Sequence, residues 1–238
     1  MRITKMDLVT PLGPCMMGYP YSALLESEFL MEGGSIYFSR GNSKIGRIYS
    51  YSVPAYSAIL PDGREFRTCP GASRWCRIHC YAQRGRLVLS KCYRLQLLNL
   101  LEFLEKGKDW FVSEAVDFLR RKKKKILRLW VSGDFFNKDI IEAWIEIATE
   151  LPDWQFYTYT RSWRVAELLP LLEELRDLPN FVVYASTDET TGPPPEGWLE
   201  SGIEFTYTSP SIRCPELVPC EVCGYCIYGR GNVYFRVR

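Results

Sequence analysis

The chain has 238 residues, 47% apolar and 24% charged, with a net charge of +2. These globular proportions exclude a disordered chain and give no overall attraction to nucleic acid, so any such contact needs a local patch. No stretch approaches the roughly 20 apolar residues of a membrane span, and the opening Met1–Asp7 has no signal-peptide core, so a cytoplasmic, reducing location and no membrane partner are expected.

Residues 1–68 read as β-rich and irregular. Cys15 lies in a Pro/Gly-rich loop. Ser35–Ser39 and Arg47–Val53 have strand character, with the turn-rich loop Arg40–Gly46 between them. Pro61-Asp62-Gly63 predicts a turn that closes a hairpin. From residue 73 the pattern turns helical: Val88, Cys92, Leu95, Leu98 and Leu101 keep the spacing of one buried stripe, which makes Cys92 a packed core thiol. A further helix is expected over Asp109–Arg121.

A regular alternation follows. Strands are predicted at 126–131, 154–159, 181–185 and 203–207, with helices at 139–151 and 165–178. Alternation of this kind builds βαβ units on a parallel sheet. The expected fold class is α/β: a partial parallel (β/α) barrel over 69–213, a β-rich N-terminal elaboration over 1–68 and a Cys-rich segment over 214–238, integrated as one domain.

Seven of the nine cysteines fall into two groups, Cys69, Cys76 and Cys80, then Cys214, Cys220, Cys223 and Cys226. An odd count in a chain of this size, under reducing conditions, makes disulfides the weaker reading. Cys220-x2-Cys223-x2-Cys226 matches three ligands of a ferredoxin-type run, whose remote fourth ligand is a Cys before Pro. Cys69-Pro70 and Cys214-Pro215 both have that form. Structural zinc sites come instead as separated pairs, so a 4Fe–4S cluster fits better than zinc. Cys76 and Cys80 share a face if their segment is helical. The groups either share one cluster or hold two, a three-cysteine centre with one open iron and a four-cysteine centre. His79, the only histidine, is read as a plain side chain rather than a fourth ligand.

In parallel α/β folds the site lies at the carboxyl ends of the strands. Ser132-Gly133-Asp134, Thr160–Trp163 and Ser186–Glu189 follow three of the predicted strands. Asp134, Arg161 and Asp188 are therefore the candidate catalytic residues. Ordinary roles compete: Asp134 as the cap of a helix starting near Asn137, Arg161 as an ion-pair partner and Asp188 as a turn residue. No phosphate-binding P-loop or dinucleotide fingerprint is present. The basic run Arg120–Lys125 is either a solvated helix end or a nucleic-acid contact.

Gly41–Gly46, Ile48–Ala55, Thr68–Gly71 with Cys80–Ala82, Val131–Phe135, Phe156–Arg164, Ser186–Gly192 and the terminal cysteines resemble the gene-product-88-like family of phages and mobile elements, over about residues 40–226. The resemblance supports Cys69, Cys76, Cys80, Cys220, Cys223 and Cys226 as metal ligands. A weaker resemblance is to radical S-adenosylmethionine enzymes, which pair a partial barrel with a three-cysteine 4Fe–4S cluster and in some cases a C-terminal auxiliary one. Ser132, Gly133 and Asp134 stand where those enzymes place a cofactor-binding glycine–acid motif. Their compact spacing is x3 then x2, whereas here it is x6 then x3, which weighs against S-adenosylmethionine. The expected function is redox or radical chemistry at a cluster fed by an electron donor, with Asp134 and Arg161 orienting a substrate and Asp188 as a further polar contact. The rivals are a cluster-stabilised nucleic-acid-binding module of a mobile element and a structural zinc protein.

Overall fold

A computed structural model describes residues 36–203 and 210–236. The Cys15 loop and most of the strand expected at 203–207 lie outside the described residues. The order is β1 (Ser39–Asn42), β2 (Gly46–Tyr51), β3 (Ser57–Ile59), β4 (Glu65–Arg67), α1 (Arg74–His79), α2 (Ser90–Arg120), β5 (Ile126–Leu129), α3 (Lys138–Glu150), β6 (Gln155–Thr160), α4 (Leu169–Asp177), β7 (Phe181–Ser186), β8 (Leu199–Ile203), β9 (Ser211–Arg213), α5 (Cys220–Cys223) and β10 (Asn232–Phe235).

Eight strands form one sheet in the order β1-β2-β5-β6-β7-β8-β10-β9. All neighbours are parallel except the β1–β2 hairpin. The α/β, mostly parallel expectation is met. Among the described residues the edge strands β1 and β9 do not pair with each other, so the sheet is open. β2 from the N-terminal stretch pairs with β5, and β10 from the C-terminal segment lies between β8 and β9. All three stretches of the chain thus build the same sheet. The Pro61–Gly63 turn closes the separate β3–β4 hairpin, as its residues predict.

The sheet has two unlike faces because side chains alternate along a strand. Leu127, Leu129, Phe156, Phe181, Val183 and Ala185 point into the main core beneath α2, α3 and α4. Trp144 of α3 and Phe111 of α2 are fully buried there, against Tyr51 of β2. The opposite face carries Ile48, Tyr157, Tyr159 and Val182 and is covered by the C-terminal segment through Ile227, Cys220 and Cys226.

Element boundaries follow local chemistry. β5 stops two residues before its expected end because Trp130 takes φ 57°, a left-handed conformation unusual for a bulky residue. The two helices expected across 88–121 are one run from Ser90 to Arg120, broken in its helical geometry at Gly107. α4 begins later than expected because Pro170 sits in its first turn, where no N–H is needed. α3 is capped by Asn137, whose Oδ1 accepts from Ile140 N at 3.0 Å, and not by Asp134. Among the described residues no helix is long and apolar enough to cross a membrane.

Candidate metal centres on two sides of the sheet

All eight described cysteines are free thiols. Seven of them gather into the two groups the spacing suggests, and the groups occupy different places.

The first group lies at the carboxyl ends of β5, β6 and β7. Cys76 is on α1 and Cys80 is its C-cap, so one helical turn brings their sulfurs together. The Cys76 thiol hydrogen-bonds Cys80. That contact lowers Cys80 to about 7 against burial, and the same contact together with burial holds Cys76 well above the ordinary thiol range. Cys69 lies near both, and burial followed by the Asp134 charge pushes it up. Its Sγ accepts from Tyr56 N at 3.2 Å. Tyr56 is, with Trp130, one of two non-glycine residues at positive φ among the described residues, at 68°, and the guanidinium groups of Arg67 and Arg77 both lie within 5 Å of its ring centre, at 4.8 and 4.7 Å.

One polar network bolts this group to the sheet. Ser73 caps α1 by accepting from Cys76 N at 2.9 Å, and its hydroxyl donates to Asp188 Oδ2 at 2.5 Å. Arg161 Nη2 meets the same carboxylate at 3.0 Å, with the side chains 14% and 0% exposed. Burial works against the charge of Asp188, but hydrogen bonds from Ser73 and Thr190 and the Arg161 charge outweigh it, so its carboxyl lies below the ordinary range. Asp134 accepts from the Thr160 hydroxyl at 2.5 Å, Arg161 N at 2.8 Å and Phe135 N at 2.8 Å. Burial nonetheless raises it. Gly71 is required by close approach, since a Cβ there would stand 2.0 Å from the Arg161 carbonyl oxygen.

The structure therefore brings Asp134, Arg161 and Asp188 together beside Cys69 and Cys76. The Ser132–Asp134 stretch offers little to a nucleoside cofactor. Gly133, at φ +81°, is packed so that a Cβ would lie 2.4 Å from Val53, Ser132 is buried, and the Asp134 carboxylate is held by its three protein donors. His79 is exposed and stacks on Trp75, with ring centroids 4.4 Å apart. Cys92 is only partly buried on α2, less than its place on the apolar stripe suggests.

The second group lies against the other face of the sheet. Cys214, Cys220, Cys223 and Cys226 are close enough that their charges oppose one another. Burial pushes Cys226 up to about 11, although the Tyr159 hydroxyl bonds its sulfur. Lys44 clamps the segment: its carbonyl accepts from Cys220 N at 2.7 Å, and its Nζ donates to the carbonyls of Pro215 at 3.0 Å and Val218 at 2.8 Å. Arg128 sits over the Tyr159 ring at 5.2 Å, with Tyr157 and Cys220 nearby.

Each group has a partly buried arginine whose Nε is an unused donor. Nε of Arg161, near Cys76, and Nε of Arg128, near Cys220, are buried without a hydrogen-bond partner among the described residues, as is the Tyr157 hydroxyl. Buried unpartnered donors are costly, and an anionic thiolate centre would relieve them. Among the described residues no three His, Cys, Asp or Glu side chains are gathered to hold a single metal ion.

Sequence reasoning missed Ser73, Tyr56, Lys44, Tyr157, Tyr159 and Arg128. Ser73, just before a helix that carries two cysteines, had a readable cap signal, and Arg128, Tyr157 and Tyr159 share the period-two face opposite Leu127, Leu129 and Phe156.

Comparison with known proteins agrees with the motifs. The profile described as Gene product 88 matches residues 36–217. The chain belongs to the Gene product 88 family. The Gene 88 protein of Mycobacterium phage L5 is 29% identical over 76% of this chain and 86% of its own length. That of Mycobacterium phage D29 is 28% identical over the same shares. No solved structure matches the chain. The Gene product 88 match runs through the whole first cysteine group, the strand-end acids and Cys214, and ends just before Cys220.

Proposed function

We propose that this chain is an iron–sulfur protein with two separate centres, one held by Cys69, Cys76 and Cys80 and the other by Cys214, Cys220, Cys223 and Cys226. The observation that carries the reading is the sorting of seven thiols into two convergent groups, each beside a partly buried arginine with an unused Nε. It favours two centres over one shared cluster.

When bound, a three-thiolate 4Fe–4S centre leaves one iron without a protein ligand, and the four-thiolate centre is closed and suited to electron transfer. The reading is therefore redox chemistry at the first site, supplied through the second by an electron donor. Arg161 holds a positive charge beside Cys76, and Asp188 and Ser73 keep it there. Asp134 fixes the turn after β6 through Arg161 N. No step is assigned to S-adenosylmethionine, because the Asp134 carboxylate is taken up by internal donors and Gly133 is packed against Val53. The long helices packed on one face and an open, mostly parallel sheet suit a partial barrel. Free thiols of this kind suit a reducing cytoplasm.

Protein purified without oxygen should be brown, bleach with dithionite and contain about eight irons per chain. About four irons would restore the shared cluster. Colourless protein containing zinc would overturn the redox reading and leave structural centres.

A further inference from the structure

The basic run at the end of α2 does not act as one unit. Arg120 Nη2 is neutralised by Glu150 at 3.0 Å and Lys125 Nζ by Asp153 at 3.2 Å. Arg121, Lys122, Lys123 and Lys124 turn elsewhere. Together with Arg40 and Arg47 of the β1–β2 hairpin they line an open cleft of about 620 Å³, which also contains Tyr49 and Glu221.

Six cations thus face one acid. Glu221 is bonded by Lys124 and, at 3.0 Å, by Arg47 N. Arg40, Arg121, Lys122 and Lys123 form no ion pair among the described residues, and Lys122 lies over the Phe118 ring at 4.1 Å. These cations come from segments about 80 residues apart in sequence, which hairpin and helix bring to one concave surface. Like charges gathered around one cleft repel one another, and a polyanion laid along it relieves that repulsion. A cationic groove with an aromatic ring at its wall has the form that tracks a nucleic-acid backbone. An isolated helix end would show neither the concavity nor the two arginines from another element.

We propose that this cleft binds the phosphodiester backbone of a nucleic acid, through Arg40, Arg47, Arg121, Lys122, Lys123 and Lys124. The cations of this site are separate from the two thiol groups, although Glu221 at the cleft wall stands between Cys220 and Cys223.

The test is fluorescence anisotropy with a short labelled single-stranded oligonucleotide and, separately, a duplex, titrated across ionic strength. The phosphate chemistry is common to both, and the tighter of the two identifies the physiological form. Binding should be saturable at low salt, and a groove that engages about four phosphates of a single strand should give a log–log salt slope near −3. The double variant Lys122→Gln, Lys123→Gln should weaken binding by about tenfold or more and flatten the slope by about 1.4. Arg120→Gln and Lys125→Gln, drawn from the same run but paired elsewhere, should bind as the parent does. All four positions are at or near the surface, and melting curves and iron content recorded on the same samples separate loss of binding from loss of fold or metal. Absence of saturable binding, an equal loss in the Arg120 and Lys125 variants, or displacement by polyglutamate as effective as by unlabelled oligonucleotide would each overturn the proposal.

Discussion

The two cysteine groups solve the same electrostatic problem in opposite ways. At the strand ends, the arginine beside the thiols has a carboxylate partner: Arg161 is paired with the fully buried Asp188, and Ser73 ties that pair to the helix carrying Cys76. On the other face, Arg128 has no carboxylate partner among the described residues, only tyrosine rings and thiols. A buried charge is stable when its partners are fixed in place, and costly when they are not. The first group thus has its arginine charge balanced by a carboxylate, whereas the second has no such partner among the described residues.

Paired substitutions test the separation most strongly. Cys76→Ser with Cys80→Ser should remove about half the iron and leave the second group's signal intact, and Cys220→Ser with Cys223→Ser should do the reverse. Loss of all iron in either variant would erase the distinction. The charge balance of the first group is tested by Asp188→Ala. It leaves the largely buried Arg161 without its carboxylate, at a cost of about 3 kcal/mol in the unfolding free energy of metal-free protein, read from denaturant curves. Asp188 also gives this region a pH signature. Its folded carboxyl is depressed, so its stabilisation is present above the unfolded value of about 3.9 and is lost as pH falls through the folded value. Asp134 is raised by burial and acts with the opposite sign, its ionisation above the unfolded value weakening the fold. Asp188→Asn should therefore flatten the acid limb of a stability–pH profile.

Arg128→Met examines the other half of the comparison. With the unpaired cation gone, metal-free protein should melt no lower, while the reduction potential of one of the two centres falls and the other stays fixed. Voltammetry showing both potentials moved equally would contradict the assignment. Ser73→Ala removes both the cap and the hydrogen bond to Asp188, at about 2–4 kcal/mol, with a matching loosening of Cys76 seen as faster thiol alkylation in metal-free protein.

Much of this architecture was readable from local pattern. The strands at 126–129, 155–160 and 181–186 and the helix at 138–150 follow the expected alternation closely, because their periodicity is strong. The acids and Arg161 gather at the strand ends for the same topological reason. What local pattern cannot carry is partnership across the sheet. Nothing in residues 46–51 announces a parallel pairing with β5, and nothing in 232–235 shows that β10 will enter between β8 and β9. The split of the basic run was equally hidden: Arg120 and Lys125 look like their neighbours until α3 and the turn before β6 supply Glu150 and Asp153.

Glu221 stands between Cys220 and Cys223, and its carboxylate reaches Lys124 and the backbone of Arg47 at the cationic cleft. One residue therefore belongs to both the thiol turn and the groove wall. Thermodynamic linkage makes the dependence symmetrical: by whatever factor loading the thiols changes the affinity of the cleft, filling the cleft must change the affinity of the thiols by the same factor. A titration at either end is thus also a measurement of the other.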